Sequence, residues 1–331
     1  MRLINPSDKI FVAGHRGMVG SAIYKSLKEK GYHSLIYASK TELDLRDEYS
    51  VKKWFKENKP SVVIIAAAKV GGIYANDNYP ADFILDNLKI QNNLIEQSWK
   101  NNVRRLLYLG SSCIYPKFSP QPIKEEYLLE GQLEETNKWY AIAKITGIKL
   151  CEALRRQYDF DAISLMPTNL YGPGDNYHTE NSHVIPSLIR KFYEAKINNS
   201  NEVICWGTGE PLREFLHVKD LANACIFALE KWDPNNPKSP RFKNGKSLNY
   251  LNVGSGKDLS IKSLATKISQ IIKFKGEIKW DTNKKDGTPR KLLDVNRIND
   301  LGWYPNISIK EGLESTIKEF IESYSSKNLR L

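Results

Sequence analysis

The sequence contains no hydrophobic run that approaches the roughly 18 residues of a membrane-spanning helix, so we expect no membrane span. Its first eight residues are polar and do not follow the pattern of a secretory signal. The only four cysteines, Cys113, Cys151, Cys205 and Cys225, have neither metal-site nor redox spacing. We therefore expect no metal site and a reducing, cytoplasmic location.

Basic runs interleaved with aromatic residues are also missing, so nucleic-acid binding is not expected. The formal net charge is nevertheless +11 at pH 7. A lysine-rich solvated surface is the more ordinary interpretation, and attraction to anionic ligands is the alternative. At 331 residues, 41% hydrophobic and 26% charged, the chain can form a nucleotide-binding domain plus a smaller partner.

A glycine-rich turn stands between a predicted strand at 9–13 and an amphipathic helix that runs to about residue 30. This order of strand, turn and helix is the setting of a dinucleotide-binding site. Glycines permit a tight turn and let the backbone approach a pyrophosphate at the helix N-terminus. A turn without a ligand is the less favoured alternative. The residues assigned here to the cofactor are Gly14, Arg16, Gly17, Met18, Val19 and Gly20.

The second predicted strand, 34–38, ends in Ser39 and Lys40, where an acidic residue would bind the ribose hydroxyls of NAD. A cation at this point, together with Arg16, suits the additional 2′-phosphate of NADP. We therefore predict NADPH as the cofactor. Asp44 and Leu45 follow within reach of an adenine edge, although an ordinary turn is equally consistent with them.

Two further predicted strands complete this half of the chain. Residues 62–68 form a continuous apolar run, which is typical of a parallel strand covered on both faces. Ala67 and Lys69 stand at its carboxyl end, where open α/β sheets bind ligands. The strand at 105–110 ends in a serine pair and then Cys113. A free cysteine is usually a small buried hydrophobe, but this position favours catalysis.

A tyrosine and a lysine stand four residues apart on a helix predicted to end near residue 158. Tyr140 and Lys144 therefore share one helix face. We expect the ammonium to lower the pKa of the phenol from about 10 towards working pH, which would make Tyr140 a general acid. Most such pairs are a half-buried aromatic beside a solvated amine. The preceding glycine turn and serine give this pair its weight.

These motifs resemble the extended short-chain dehydrogenase/reductase superfamily and, more narrowly, the GDP-L-fucose synthase family. The resemblance implies an α/β fold: a Rossmann-like doubly wound parallel sheet with helices on both faces, plus a smaller, discontinuous α/β substrate domain. It implies an NADP-binding domain at 1–172, to which a segment near 215–250 returns, a mainly GDP-sugar-binding domain at 173–331, and a homodimer. The blocks that carry it are 110–116, 140–144, 167–173, 181–186 and 286–291.

The resemblance implies an NADPH-dependent 3,5-epimerase and 4-reductase that converts GDP-4-keto-6-deoxy-mannose to GDP-L-fucose. Cys113 would be the base of epimerisation and His183 the acid on the opposite face. Tyr140 would protonate the C4 oxygen after hydride transfer. A lone histidine is more often structural or exposed, so the role of His183 depends on the resemblance. The implied catalytic residues are Ser111, Cys113, Tyr140, Lys144 and His183.

The same resemblance assigns residues to the two ligands. Trp206 offers apolar surface to a sugar or base, and Arg213 can bind a diphosphate through two N–H groups. A buried indole and solvated charges are the alternative interpretation. The implied cofactor residues are Lys144, Pro167, Asn169, Leu170 and His183. The implied substrate residues are Ser112, Asn169, Lys191, Trp206, Arg213 and Asp286.

Two other functions stay open. The first is C4 reduction of another GDP-4-keto sugar, a heptose or a colitose precursor for capsule or lipopolysaccharide, with epimerisation reduced or absent. Lys138 and Trp139, unusual residues directly before Tyr140, keep this possibility open. The second is a non-catalytic NADP-sensing regulator, which the presence of both Tyr140 and Lys144 disfavours. We also expect an exposed loop at 234–246 and a frayed tail from residue 325.

Overall fold

The structure, a computed structural model, describes residues 3–284 and 286–331. In chain order the strands are β1 (Ile10–Ala13), β2 (Leu35–Ile36), β3 (Val62–Ile65), β4 (Arg105–Leu109), β5 (Ala162–Pro167), β6 (Asn169–Tyr171), β7 (Glu202–Trp206), β8 (Leu212–His217), β9 (Tyr250–Val253), β10 (Asp258–Ser260), β11 (Glu277–Asp281) and β12 (Arg290–Lys291). The helices are α1 (Met18–Glu29), α2 (Glu48–Asn58), α3 (Ile73–Asn78), α4 (Pro80–Lys100), α5 (Lys138–Tyr158), α6 (Val184–Ile197), α7 (Val218–Lys231), α8 (Ile261–Ile272), α9 (Asn296–Asp300) and α10 (Ile309–Ser325).

A six-stranded parallel sheet in the order β2-β1-β3-β4-β5-β9 forms the larger half of the molecule. Every residue of β1, β3, β4, β5 and β9 is buried, because helices cover both faces of the sheet. Helix α1 packs with α7, and α4 packs with both α2 and α5. The predicted Rossmann-like α/β fold is thereby confirmed.

Two of the predicted strands are shorter than expected. Only Leu35–Ile36 of the run at 34–38 pairs with β1, and the run at 62–68 leaves the sheet after Ile65. The second difference has a clear cause. The N–H of Ala66 still donates to the carbonyl of Ala13, but Ala67 then packs against the glycine turn that follows β1. The apolar residues 66–68 therefore line the edge of the crevice.

The second part of the molecule combines two small sheets. Strand β8 pairs with β10, β12 and β6, and β11 pairs in parallel with β7. Helices α6, α8 and α10 pack around a second hydrophobic core. Segments after residue 173 contribute to both cores, since α7 packs on α1 and β9 pairs with β5.

The chain terminus is ordered by specific hydrogen bonds, so the expected fraying from residue 325 is wrong. The N–H of Tyr177 donates to the Arg330 carbonyl, and the Arg330 guanidinium donates to the Gly174 carbonyl. Leu329 packs against the second core. The loop at 234–246 is largely exposed, as predicted. Within the described residues, no helix combines the length and the apolar character needed to span a membrane.

Candidate active site

The glycine turn lies between β1 and α1, at the point where the strand order reverses from β1 to β3. Gly14 has a φ of +89°, and a Cβ there would lie 2.7 Å from the backbone nitrogen of Ala67. A Cβ on Gly20 would lie 2.1 Å from the Gly14 oxygen. Helix α1 starts at Met18 with neither a side-chain cap nor an acidic residue in its first turn. Its first amides are thus available to an anionic group.

Several side chains of the glycine turn and of the segment after β2 are exposed or half-buried, and some contact one another. The His15 and Tyr37 rings stack with centroids 4.4 Å apart. Arg16 and Lys40 are both exposed. Asp44 is already engaged, because hydrogen bonds from Arg46 lower the pKa of its carboxyl to about 2.

The segment after β3 is held to its surroundings by backbone hydrogen bonds. The Lys69 N–H donates to the Asn87 side-chain oxygen over 2.9 Å, and the Asn87 amide donates to the Lys69 carbonyl over 3.0 Å. Further along, the Gly72 N–H donates to the Asn181 carbonyl over 2.9 Å. The loop at the end of β3 is therefore joined directly to the loop that carries His183.

Ser111 and Cys113 lie where β4 ends, in a short 3₁₀ turn at Ser112–Ile114. The Ser111 hydroxyl accepts a hydrogen bond from the Cys113 N–H over 3.2 Å, which leaves its O–H proton available. The Lys291 ammonium lies 4.0 Å from the Cys113 sulfur. Burial lowers the pKa of Arg213, and the nearby Asp286 and Cys113 oppose that shift. Cations therefore surround this thiol.

Tyr140 is half-buried and keeps its proton. Burial raises the pKa of the phenol, and Cys113 adds to the shift. Lys144 is buried, which lowers the pKa of its amine to about 7. Its nitrogen donates to the Leu109 carbonyl over 2.8 Å and lies 5.7 Å from the Tyr140 ring centroid. The expected lowering of the Tyr140 pKa by Lys144 is therefore wrong. The Lys144 nitrogen donates to Leu109 instead of to the phenol, so the effect of burial on Tyr140 dominates.

His183 stands at the N-cap position of α6. Its ring is open to water, yet protein surrounds it closely enough that burial lowers the pKa of the imidazole. The imidazole is therefore mainly neutral at pH 7, with one N–H donor.

The residues assigned to the GDP-sugar form a group that we call the substrate cluster: Lys191, Trp206, Arg213 and Asp286. The Trp206 ring is 54% exposed and has the Lys191 and Lys284 nitrogens 5.0 and 5.3 Å from its centroid. Asp286 accepts hydrogen bonds from the Thr208 N–H and hydroxyl, at 3.1 and 2.6 Å. The Asp286 carboxylate therefore fixes the loop that follows Trp206.

The remaining predicted residues are more deeply set. Ser112 is buried, and Pro167 is buried at the end of β5. The Asn169 amide donates to the Glu214 carbonyl over 2.8 Å, which joins β6 to β8. Leu170 is half-buried against the larger core.

Known proteins resemble this chain over almost its whole length. Residues 10–241 match the NAD dependent epimerase/dehydratase family. GDP-L-fucose synthase 1 of Arabidopsis thaliana is 52% identical over 321 residues, which cover 97% of this chain and 95% of that protein. The chain belongs to the GDP-L-fucose synthase group of the NAD dependent epimerase/dehydratase family. The family resemblance seen in the sequence is thereby confirmed, as is its assignment to enzymes.

Solved structures agree with membership of the GDP-L-fucose synthase group. A GDP-L-fucose synthetase from Naegleria fowleri bound to NADP has a TM-score of 0.86 and 27% identity, covering 98% of this chain and 97% of that chain. A GDP-6-OMe-4-keto-L-xylo-heptose reductase from C. jejuni has a TM-score of 0.89 and 36% identity, covering 98% and 99%. The chain is therefore an NADP-dependent oxidoreductase by family.

Four further polar residues of this chain were not among the site residues predicted from the sequence. Lys291 lies within the block at 286–291 but carries no motif that points to Cys113. Asn137 precedes α5 and has a buried side-chain oxygen without a hydrogen-bond partner in the described structure. Gln91 and Tyr108 are buried polar residues beside Lys144. Tertiary contacts identify Lys291, Gln91 and Tyr108, because neither spacing nor periodicity links them to the site.

Proposed function

We propose that this chain is an NADPH-dependent epimerase and reductase that converts GDP-4-keto-6-deoxy-mannose to GDP-L-fucose. The observation that carries this proposal is the convergence of Cys113, Tyr140 and Arg213. Helix α5, which carries Tyr140, packs against the 3₁₀ turn that holds Cys113. Lys291 lies 4.0 Å from the Cys113 sulfur and is the register partner of Arg213, so all three groups lie in one region. This arrangement supports Cys113 as the base, Tyr140 as the proton donor and Arg213 as the cation for the diphosphate.

The cofactor fits the uncapped amide end of α1, where an added Cβ at Gly14 or Gly20 would collide with backbone. Arg16 and Lys40 would bind the 2′-phosphate, and bound NADPH would supply the hydride for C4. Equal or better kcat/KM with NADH would contradict this choice. The residues proposed to hold the cofactor are Gly14, Arg16, Gly17, Met18, Val19, Gly20, Lys40, Asp44, Leu45, Ala67, Lys69, Lys144, Pro167, Asn169, Leu170 and His183.

Cys113 and His183 would carry out epimerisation. The C4 ketone acidifies the protons at C3 and C5, so a base can remove one of them to give an enolate. Cys113 would be that base, and the Lys291 ammonium lies 4.0 Å from its sulfur. His183 would return a proton to the opposite face, which inverts the carbon.

Tyr140 would donate its proton to the C4 oxygen as the ketone is reduced. Because burial raises its pKa, the phenol is protonated throughout the neutral range and can act as an acid. Ser111 would hydrogen-bond the same oxygen, since its hydroxyl proton is not used by Cys113. Lys144 would bind the nicotinamide ribose.

The substrate cluster would hold the GDP portion, with Ser112 and Asn169 nearer the sugar. Trp206 presents an exposed aromatic face, and the Lys191 ammonium beside it supplies positive charge for a phosphate. Arg213 can donate two parallel N–H groups to the diphosphate. Asp286 would act by positioning the loop at Thr208.

A product assay in deuterated water tests this function. GDP-4-keto-6-deoxy-mannose and NADPH should give GDP-L-fucose with deuterium at C3 and C5, identified by NMR. Tyr140→Phe should bind NADPH normally but lose C4 reduction by roughly 10²- to 10⁴-fold. Undiminished reduction by that variant would contradict the assignment of the acid.

The second candidate function is C4 reduction of another GDP-4-keto sugar without epimerisation. The similarity to a C. jejuni heptose reductase favours it, as does Trp139, which is 37% exposed directly before Tyr140. The Lys138 nitrogen lies 4.9 Å from the Trp139 ring centroid, so the pair presents a bulky surface. Faster turnover of a GDP-4-keto heptose or a colitose precursor, with no deuterium at C3 or C5, would establish this alternative.

We also propose a homodimer in the cytoplasm, with residues 1–172 and a returning segment near 215–250 binding the cofactor and residues 173–331 mainly binding the GDP-sugar. Leu85 on α4 and Ile142 on α5 are 54% and 37% exposed, on two helices that pack together. These side chains would bury against a second copy. Light scattering should report a dimer, and Leu85→Lys with Ile142→Glu should give a monomer.

A further inference from the structure

Lys144 lies against the side chain of Tyr108, a buried tyrosine on β4. The Lys144 nitrogen is 4.9 Å from the Tyr108 ring centroid, closer than its 5.7 Å from the Tyr140 centroid. It also donates to the carbonyl of Leu109, the next residue of β4. Strand β4 therefore supplies both contacts of the ammonium, one to a carbonyl oxygen and one to an aromatic face.

Tyr108 itself is fixed in place by two neighbours. Its hydroxyl donates to the Gln91 side-chain oxygen over 2.6 Å, and the Gln91 amide donates to the Ala143 carbonyl over 2.6 Å. Gly147, one helical turn beyond Lys144, lies so close that an added Cβ would be 2.5 Å from the ring carbon Cζ. The ring is thus clamped between α4 and α5, and it cannot turn away from Lys144.

We propose that Tyr108, clamped by Gln91, is a positioning residue that holds Lys144 in its ammonium form beside Tyr140. An ammonium gains electrostatic attraction from the face of an aromatic ring, and the gain grows when water is excluded. Burial favours the neutral amine of Lys144, and the Tyr108 ring offsets part of that effect. The inference rests on the proposed function only in taking Lys144 as a group that binds the cofactor's ribose.

The pH dependence of NADPH binding reports on this role. The titratable groups that face Lys144 are the phenols of Tyr108 and Tyr140, with Cys151 behind Tyr108 and Cys113 beside Tyr140. Burial raises the pKa of both phenols and raises the pKa of Cys151 to about 12, so these three stay neutral near pH 7. NADPH affinity should therefore fall as the pH rises past the Lys144 pKa, near 7 in the free protein.

The experiment changes the ring and follows the pH at which this fall begins. Tyr108→Phe loses the hydrogen bond to Gln91 but keeps the aromatic face, which the close Gly147 backbone still confines, so the onset should not move. Tyr108→Leu removes the face and should move the onset to lower pH by roughly half a unit to one and a half units. Phe55→Leu, which removes a buried ring of α2, is the matched control and should leave the onset unchanged.

A second measurement covers the case in which Tyr108→Leu does not fold. Phenylalanines with one to five ring fluorines at position 108 keep the shape of the ring but progressively weaken its attraction for cations. The onset should then move stepwise to lower pH. An onset that is constant across this series, or that moves equally in Phe55→Leu, would overturn the inference alone. A parent protein that fails to bind NADPH would overturn both it and the proposed function.

Discussion

The glycine turn offers a ligand its backbone, whereas the substrate cluster offers side chains. The turn occupies seven consecutive residues, 14–20, and its binding groups are the amides that begin α1. The cluster draws its members from α6, the end of β7, β8 and the segment before β12. Substitutions that change side chains should therefore weaken ligand binding at the substrate cluster. At the glycine turn, only an added Cβ should weaken it. The four predictions below test this contrast, and the first concerns Lys144.

Lys144→Met should have the largest effect, and it should separate activity from stability. We expect kcat/KM to fall roughly a thousandfold, because the ammonium proposed to bind the ribose is lost. Stability should rise, since burial lowers the Lys144 pKa to about 7 from 10.5 in the unfolded chain.

The size of that stability gain depends on pH. Between pH 7 and about 10 the unfolded chain binds the proton more tightly, so parent stability increases with pH across this window. The gain from Lys144→Met should thus be greatest below pH 7, at roughly 2–4 kcal/mol, and should vanish above pH 10. Thermal unfolding at several pH values measures it. A gain that is independent of pH would contradict a buried charge.

Gly14→Ala should weaken NADPH binding by about 100-fold, because the new Cβ would collide with the Ala67 backbone and the residue would be strained at φ +89°. Fluorescence titration gives the affinity. Gly31→Ala is the matched control: its φ is +85°, but nothing lies within 4 Å of an added Cβ. Equal losses of NADPH affinity in Gly14→Ala and Gly31→Ala would attribute the effect to backbone strain and not to the collision with Ala67.

Arg213→Met should raise KM for the GDP-sugar by about 10- to 100-fold and leave NADPH affinity unchanged. Its guanidinium is the part-buried cation of the substrate cluster, beside Asp286 and Cys113. Arg213→Lys keeps the charge but loses the two parallel N–H donors. Its KM for the GDP-sugar should therefore lie between those of the parent and Arg213→Met. Weakened NADPH binding in Arg213→Met would contradict the separation of cofactor binding at the glycine turn from substrate binding at the substrate cluster.

Lys291→Gln should have the smallest effect, a two- to fivefold slower alkylation of Cys113 by iodoacetamide at pH 7. The reaction is selective because the other three cysteines are buried. Lys291→Arg keeps a cation and should react like the parent, and Cys113→Ser should block labelling. If Lys291→Gln reacts as fast as the parent, the contact at 4.0 Å has no electrostatic consequence.

The sequence alone could predict features that are encoded by neighbouring residues. The glycine turn and the helix that carries Tyr140 and Lys144 depend on periodicity and local backbone freedom. The family resemblance followed from the order of these local motifs.

Only the tertiary structure decided the electrostatics and the long-range contacts. Spacing placed Lys144 beside Tyr140, but the fold directs its ammonium to Tyr108 and the Leu109 carbonyl, so desolvation controls the pKa of the phenol. The pairing of β12 with β8 likewise brings a lysine from position 291 to the thiol at 113. Burial and through-space distance depend on the packing of elements far apart in the chain, and no local pattern encodes them.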